Sequence, residues 1–526
     1  MHRQNSSTSA YSEEEIDIEK MGGEGENGIR NEEKDQEQEQ KQNHLDEYLV
    51  QFTQNDPTNP KNWSSGLKWY TTVLSSVFIL SSTIASSLPS TTIANMIEEY
   101  DTTETIAICT ITMFLLGYVC GPLFWAPLSE VYGRKPIFTL TLLLYTLFNV
   151  GCALSPTITG LLICRLIAGI GASSPLTNSG GVLTDIWEMD AIAIPMALFS
   201  WVGVLVPVDT ANTLDSLVPF LGPVLGPIIG NFMIISVPWQ DIYWLMLAFG
   251  GVCWLLCVFT LKETYEPAIL HRRAAQLRKK TGDSGYYTAQ EKTQPAMRTL
   301  LKTSLTRPLL FLVTEPLVIF SSLYVAVIYT ILYLSFEIVP YVFRGVFEMR
   351  QEIAGLMFIP IAIGMFINLA ITMVGVGVMR RRSANVATKS LPEDRLLPAI
   401  YLGGPCMVVS LFWLGFTSRA DVPWEVPAAS LILFGVAIVS IFNSFLSYLA
   451  DVYAVYAASA LASNTIARSV IASVCPLFVR QMFDAMGIDY ACLLLALVAL
   501  TLCAVPVWFR LRAASLRARS AYARRV

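Results

Sequence analysis

The chain has 526 residues, of which 53% are hydrophobic and 15% charged, with a net charge of −5 and a mean hydropathy of +0.51. Soluble domains carry about 25% charged residues, so this composition excludes an ordinary soluble enzyme or a nucleic-acid-binding domain. It predicts an all-α polytopic protein whose surroundings are a lipid bilayer.

The N-terminal tail, residues 1–60, is rich in Glu, Gln and Asn. It has too few apolar residues to fold and is expected to be disordered. Its polar start predicts no cleavable signal peptide. Trp63 and Trp69 suit the membrane interface. A helix needs about 20 apolar residues to cross a bilayer. Spans are expected near 70–93, 105–127, 137–154, 158–183, a fifth ending near 235, and 239–261, which makes a six-helix half over 61–261. Residues 262–308 form a basic linker with ten Lys or Arg against four acids. Six more spans follow near 309–339, 352–379, 396–416, 427–449, 456–479 and 488–509, the second half being 309–509. The last segment, 510–526, has six Arg and no acid.

Basic loops remain on the cytoplasmic side. Twelve spans with both termini inside put the linker, Arg134–Lys135, Arg380–Arg382 and the Arg-rich end all there. The stretch 202–217 does not fit: it interrupts the fifth span, and a separate crossing there would reverse every later loop. It reads as a re-entrant insertion or a retained intron. The ten cysteines lie in or beside apolar runs and show no spacing for disulfides or a metal site; they are expected to be small buried apolar groups.

Residues 121–136 interrupt two apolar runs with a charged turn, Ala126-Pro-Leu-Ser-Glu-Val-Tyr-Gly-Arg-Lys-Pro136. Gly133 allows a positive φ, and Pro136 suits a helix start. Glu130 and Arg134 are expected to pair, with Asp185 as a third member, as a conformational latch; the plainer alternative is a topology anchor. In the fifth span, Gly222, Gly226 and Gly230 share one face, with Pro223 and Pro227 beside it. This predicts a close helix seam with a bend. Arg165 and Arg468 lie inside spans, where an Arg must face protein or water.

Glu315 is expected about six residues, roughly 9 Å, into the seventh span. A carboxyl so placed is the first candidate proton carrier, or else satisfies backbone groups beside Pro316. Glu337 and Asp451, near span ends, read as gates or anchors, and Arg468 as the balance for one of the acids. Tyr329 and Tyr333 recur at helical spacing. They are core packing or one wall of a substrate cavity, with Asn443, Tyr448 and Asn464 as polar anchors.

The turn at 126–135 resembles the loop 2–3 signature of the major facilitator superfamily, in the form seen in fungal twelve-span drug:proton antiporters. Two more signatures follow in order: Leu161 to Ser173 around Arg165, and Leu221-Gly-Pro-Val-Leu-Gly-Pro-Ile-Ile-Gly230. Asn231 stands where the family form has a second Gly. The resemblance covers about 59–509 and is greatest to polyamine and multidrug exporters.

It implies a major facilitator fold of two six-helix halves, alternating access, the proton as coupling ion with no other cofactor, and Arg165 in the coupling machinery. The expected function is proton-coupled export of small molecules (drugs, toxins, secondary metabolites or polyamines). The expected setting is the plasma membrane, with the chain acting as a monomer and binding no nucleic acid. A proton-coupled nutrient symporter and a non-transporting sensor on the same scaffold are the alternatives. A membrane enzyme ranks last, since the chain has three His, no HExxH and no phosphate-binding loop.

Overall fold

The computed structural model describes residues 48–53, 55–187, 218–293, 297–383, 391–520 and 522–523. The insertion at 202–217 and the tail before Tyr48 lie outside the described residues. Two compact units divide the chain: Met1–Phe52 with Leu270–Gln294, and Thr53–Ile269 with Pro295–Val526.

In the smaller unit, Leu49 pairs in parallel with Tyr287. Val50 donates its N–H to the Tyr287 carbonyl at 2.9 Å, and Tyr287 donates to that of Tyr48 at 3.0 Å. The tail is therefore not featureless to residue 60. Tyr48, Leu49 and Val50 form an apolar island at its end, and the Tyr48 and Tyr286 rings meet at 5.4 Å. Glu291 accepts from Arg278 at 2.5 Å. Partial burial opposes its ionisation, but the hydrogen bonds from Arg278 and the Thr288 backbone, with the charges of Arg278 and His271, together outweigh this and hold the carboxyl below its usual range.

The larger unit carries the membrane helices. The first half contains α1 (Ser65–Ser87), α2 (Glu104–Tyr118), α3 (Arg134–Ala153), α4 (Ile158–Ile186), α5 (Val218–Ser236) and α6 (Asp241–Thr260). The second half contains α7 (Pro316–Gly345), α8 (Ile359–Ser383), α9 (Gly404–Thr417), α10 (Glu425–Tyr453), α11 (Ala457–Val474) and α12 (Pro476–Leu502). Helices are dictated by the setting, because backbone groups in hydrocarbon must pair within their own segment. Buried hydroxyls follow the same rule. Thr71, Ser75, Ser82 and Thr83 of α1 each donate to the carbonyl four residues earlier.

Among the described residues, eleven stretches are long and apolar enough to cross a membrane, one fewer than expected. The difference falls on α11, an 18-residue helix that carries Asn464 and Arg468. It packs against α7 and α2, so it belongs to the bundle despite its polarity. Its neighbour α12 breaks at Gly487, where φ is +77°. Two other boundaries move. A helix Met297–Thr314 ends at Glu315, and α7 starts afresh at Pro316, so the seventh span is not continuous from residue 309. The C-terminal segment is no loose tail: Ala504–Arg519 is helical, and Arg517 pairs with buried Glu393 at 2.6 Å.

The two halves repeat one packing device. In the first, α2 and α4 cross at Gly117 and Gly169; a Cβ on Gly169 would stand 2.3 Å from the Phe114 carbonyl oxygen. In the second, α8 and α10 cross at Gly364 and Gly435, where an added Cβ would meet backbone oxygens at 1.9 and 2.0 Å. Glycine permits such close approach between membrane helices. Helices two and four of one half thus correspond to helices two and four of the other, as a duplicated bundle requires.

Candidate functional site

The chain folds back at each loop, so the bundle has two faces. One bears the turn at Gly133, the other the loop at Asp101.

At the turn face, a π-helical turn, Gly121–Trp125, leads into the helix Ala126–Tyr132. Gly133 has φ +99° and ψ 164°. Arg134 then pairs through Nε with Asp185 at 3.2 Å and donates through Nη1 to Ser129 at 2.7 Å. Glu130 is exposed and pairs with no base among the described residues; the expected Glu130–Arg134 pair is replaced by Asp185 and Ser129, which lie deeper. Sequence reasoning missed Glu263. Its carboxylate accepts the backbone N–H of Arg134 at 2.7 Å, a free donor at the start of α3, and those of Thr264 and Tyr265 beside it at 3.2 Å. The available signal was an acid directly after the sixth span, on the same face as the turn. Asp185 and Ser129 belong to the first half and Glu263 directly follows its last helix, so these contacts tie that half together and do not bridge the two. The halves meet on this face elsewhere, where Met297–Thr314 packs against Gly121–Trp125.

The Gly-Pro face of α5 lies on α1. Added Cβ atoms on Gly222, Gly226 and Gly230 would stand 1.9, 2.1 and 2.4 Å from the hydroxyl oxygens of Thr83, Ser87 and Thr91. Both Pro223 and Pro227 sit inside the helix. Asn231 donates to the Pro227 carbonyl at 2.8 Å and fills the space above Gly355 of the second half, where a Cβ would approach Asn231 to 2.7 Å. What reads as a small departure in the motif is thus a contact between halves.

At mid-depth the halves meet in a polar seam. Arg165 is fully buried. It donates to the carbonyls of Thr110 in α2 at 3.1 Å and Ala85 in α1 at 3.0 Å, and lies 4.1 Å over the Phe114 ring. One residue on, Ser86 shares a hydrogen bond with Tyr333 of the second half at 2.8 Å. The Tyr329 and Tyr333 hydroxyls are 3.4 Å apart. Arg468 completes the row, 4.9 Å over Tyr329 and 5.6 Å over Phe442. No acid among the described residues balances Arg468; aromatic faces stand where a carboxylate was expected.

Glu315 is far from that row. It occupies the break before α7, is 4% exposed, and accepts from the Tyr453 hydroxyl at 2.9 Å. Glu337 lies about 33 Å farther along at roughly 1.5 Å per residue.

Above the seam, towards the opposite face, the halves enclose a cavity of about 990 Å³. Phe336, three residues past Tyr333, and Pro227 line it, together with Thr91, Asn231 and Tyr341. Its charged groups are Glu104, Glu337, Glu348, Arg344 and Arg480. Arg480 pairs with Glu104 across the halves, and one Glu337 oxygen has no hydrogen-bond partner. The expected cavity residues are not in its lining. Tyr329, Tyr333, Asn443 and Asn464 are buried, and Tyr448 stacks against Phe509 at 5.7 Å within the second half.

Comparison with known proteins fits this architecture. Residues 74–476 match the family model described as Major Facilitator Superfamily. The chain belongs to the Major Facilitator Superfamily. It is 36% identical over 475 residues to the MFS-type transporter paaT of Penicillium rubens, covering 90% of this chain and 84% of that protein. It is 34% identical over 481 residues to the efflux pump FUBT of Fusarium oxysporum, covering 90% and 78%. The solved structure of the proton:xylose symporter XylE shares the fold, with a TM-score of 0.58 at 15% identity, covering 86% of this chain and 96% of that one. This superfamily transports small molecules and does not catalyse reactions on them. The sequence resemblance therefore identified both family and fold.

Proposed function

We propose that this protein is a secondary transporter that exports small molecules by alternating access, driven by protons. The observation that carries the reading is the 990 Å³ cavity between the halves, closed below by the Ser86–Tyr333 bond. A pathway open on one face and shut on the other is one state of a rocking two-half machine. The relative named an efflux pump supports export. So does the Gly-Pro seam of α5, a surface on which α1 can slide.

The basic loops orient the turn face to the cytoplasm, so the cavity opens outward and both termini lie inside. The plasma membrane is the location in this reading, the monomer is the working unit, and the proton is the one coupling ion. Glu315 carries the proton on the inner side, and Arg165 and Arg468 set the field of the seam between it and the cavity. Glu337 faces the cavity as the outer carboxyl.

Expression in an efflux-deficient yeast, scored for growth against drugs, organic acids and polyamines, tests this. The full chain should confer resistance to at least one class. Glu315→Gln keeps an oxygen for Tyr453 but cannot titrate, and should lower resistance to the host's level at equal membrane abundance. Full resistance in Glu315→Gln would remove that residue from the coupling step.

A further inference from the structure

The seam contains a buried cationic site that no acid among the described residues neutralises. Arg468 is 9% exposed, and its Nε has no hydrogen-bond partner. The rings of Tyr329 and Phe442 cover the guanidinium. A ring against the flat face of a guanidinium leaves its N–H edge unused, and that edge is the fork that matches a carboxylate.

Asn464 lies one turn earlier on the same face of α11. It is fully buried, yet neither its amide nitrogen nor its oxygen has a partner. Asn443 follows Phe442 in the chain, is 7% exposed, and is likewise unpartnered at both atoms. Buried polar groups are nearly always hydrogen-bonded. Three such side chains without partners, all from the second half, mark a place where polar contacts come from elsewhere.

The sign of the missing partner follows from the charges. Arg165, on the other side of the Ser86–Tyr333 bond, spends two of its donors on carbonyls and leaves Nη1 unpartnered. No carboxylate among the described residues forms an ion pair with either arginine. The cavity above carries both signs and so does not select by charge. The seam carries positive charge only.

We propose that Arg468, with Asn464 and Asn443, is the recognition site for a carboxylate, and that the cargo is an organic anion with an apolar or aromatic body. The aromatic rings that hold Arg468 also offer a surface for that body. This rests on the exporter reading and narrows it: a polyamine would place like charges together in the seam.

The test uses the purified full chain and naphthalene-2-carboxylate, with naphthalene-2-carboxamide and spermidine as competitors. Equilibrium dialysis at neutral pH should show the carboxylate binding at least tenfold more tightly than the carboxamide, with no displacement by spermidine. Arg468→Gln should remove the preference for the acid. Arg468→Lys should keep part of it, since the charge stays and the fork is lost. Equal binding of acid and amide, or unchanged preference in a folded Arg468→Gln protein, would overturn the proposal. Everted vesicles separate it from the reading it rests on. Proton flux driven by spermidine or a neutral drug, but not by the carboxylate, sinks the anion site and leaves the exporter standing. Flux with no class of compound removes both.

Discussion

Gly435→Val is expected to remove the protein from the membrane. The Cβ alone would stand 2.0 Å from the carbonyl oxygen of Ile361 and 2.9 Å from its carbon. Those are backbone atoms of α8, so no side chain can rotate away and the helices must part. Parting them breaks the Gly364 contact as well, because an oxygen of α10 lies where that residue's Cβ would be. Overpacking typically costs about 1–3 kcal/mol, and a rigid backbone clash belongs at the upper end. Against a total stability of about 5–15 kcal/mol, that is enough to send much of the protein to degradation. Gly180→Ala is the control, since nothing lies within 4 Å of its added Cβ. Membrane abundance by fluorescence of a C-terminal fusion reads both. Loss of Gly435→Val to below about a tenth of wild type, with Gly180→Ala unchanged, is the expected pattern. Equal abundance would contradict the close crossing.

Arg165→Ala should bring export to background for a different reason. The guanidinium joins three helices: it extends from α4, bonds Thr110 in α2 and Ala85 in α1, and covers Phe114. Alanine leaves two buried acceptors short of a donor, at about 1–3 kcal/mol each. It also frees the last turn of α1 around Ser86, and with it the Tyr333 bond that joins the halves. Arg165→Lys keeps the charge as a single point and cannot serve both carbonyls in the same geometry; partial activity is expected. Resistance normalised to membrane abundance is the measurement. Full resistance in Arg165→Ala would refute the place given to this residue.

How far these features could be read from the chain depends on what fixes each. Span positions follow from hydropathy, which is a local property, and the turn at Gly133 follows from residues adjacent in sequence. The break at Glu315 was also legible. A residue before proline is pushed out of the helical region, and Glu315 has φ −101° and ψ 104°; a long apolar run hid that signal. Glu263 was half legible: its place directly after the sixth span, on the face of the turn, could be read, but its contact with Arg134, more than a hundred residues away in the chain, could not. The same holds for Asn231 over Gly355. The polar seam was half legible: its arginines, tyrosines and asparagines could be named, but their burial beneath the cavity belongs to one state of the transport cycle. No pattern in a sequence says which state a fold will show.

The most direct test of the account is proton flux in everted vesicles from cells expressing the full chain. With a pH gradient imposed, acid inside, adding an exported compound should draw protons out of the lumen and collapse part of the gradient. The collapse should saturate with compound and be absent in Glu315→Gln vesicles carrying equal protein. A gradient that does not respond to any compound to which the protein gives resistance would contradict proton-coupled export.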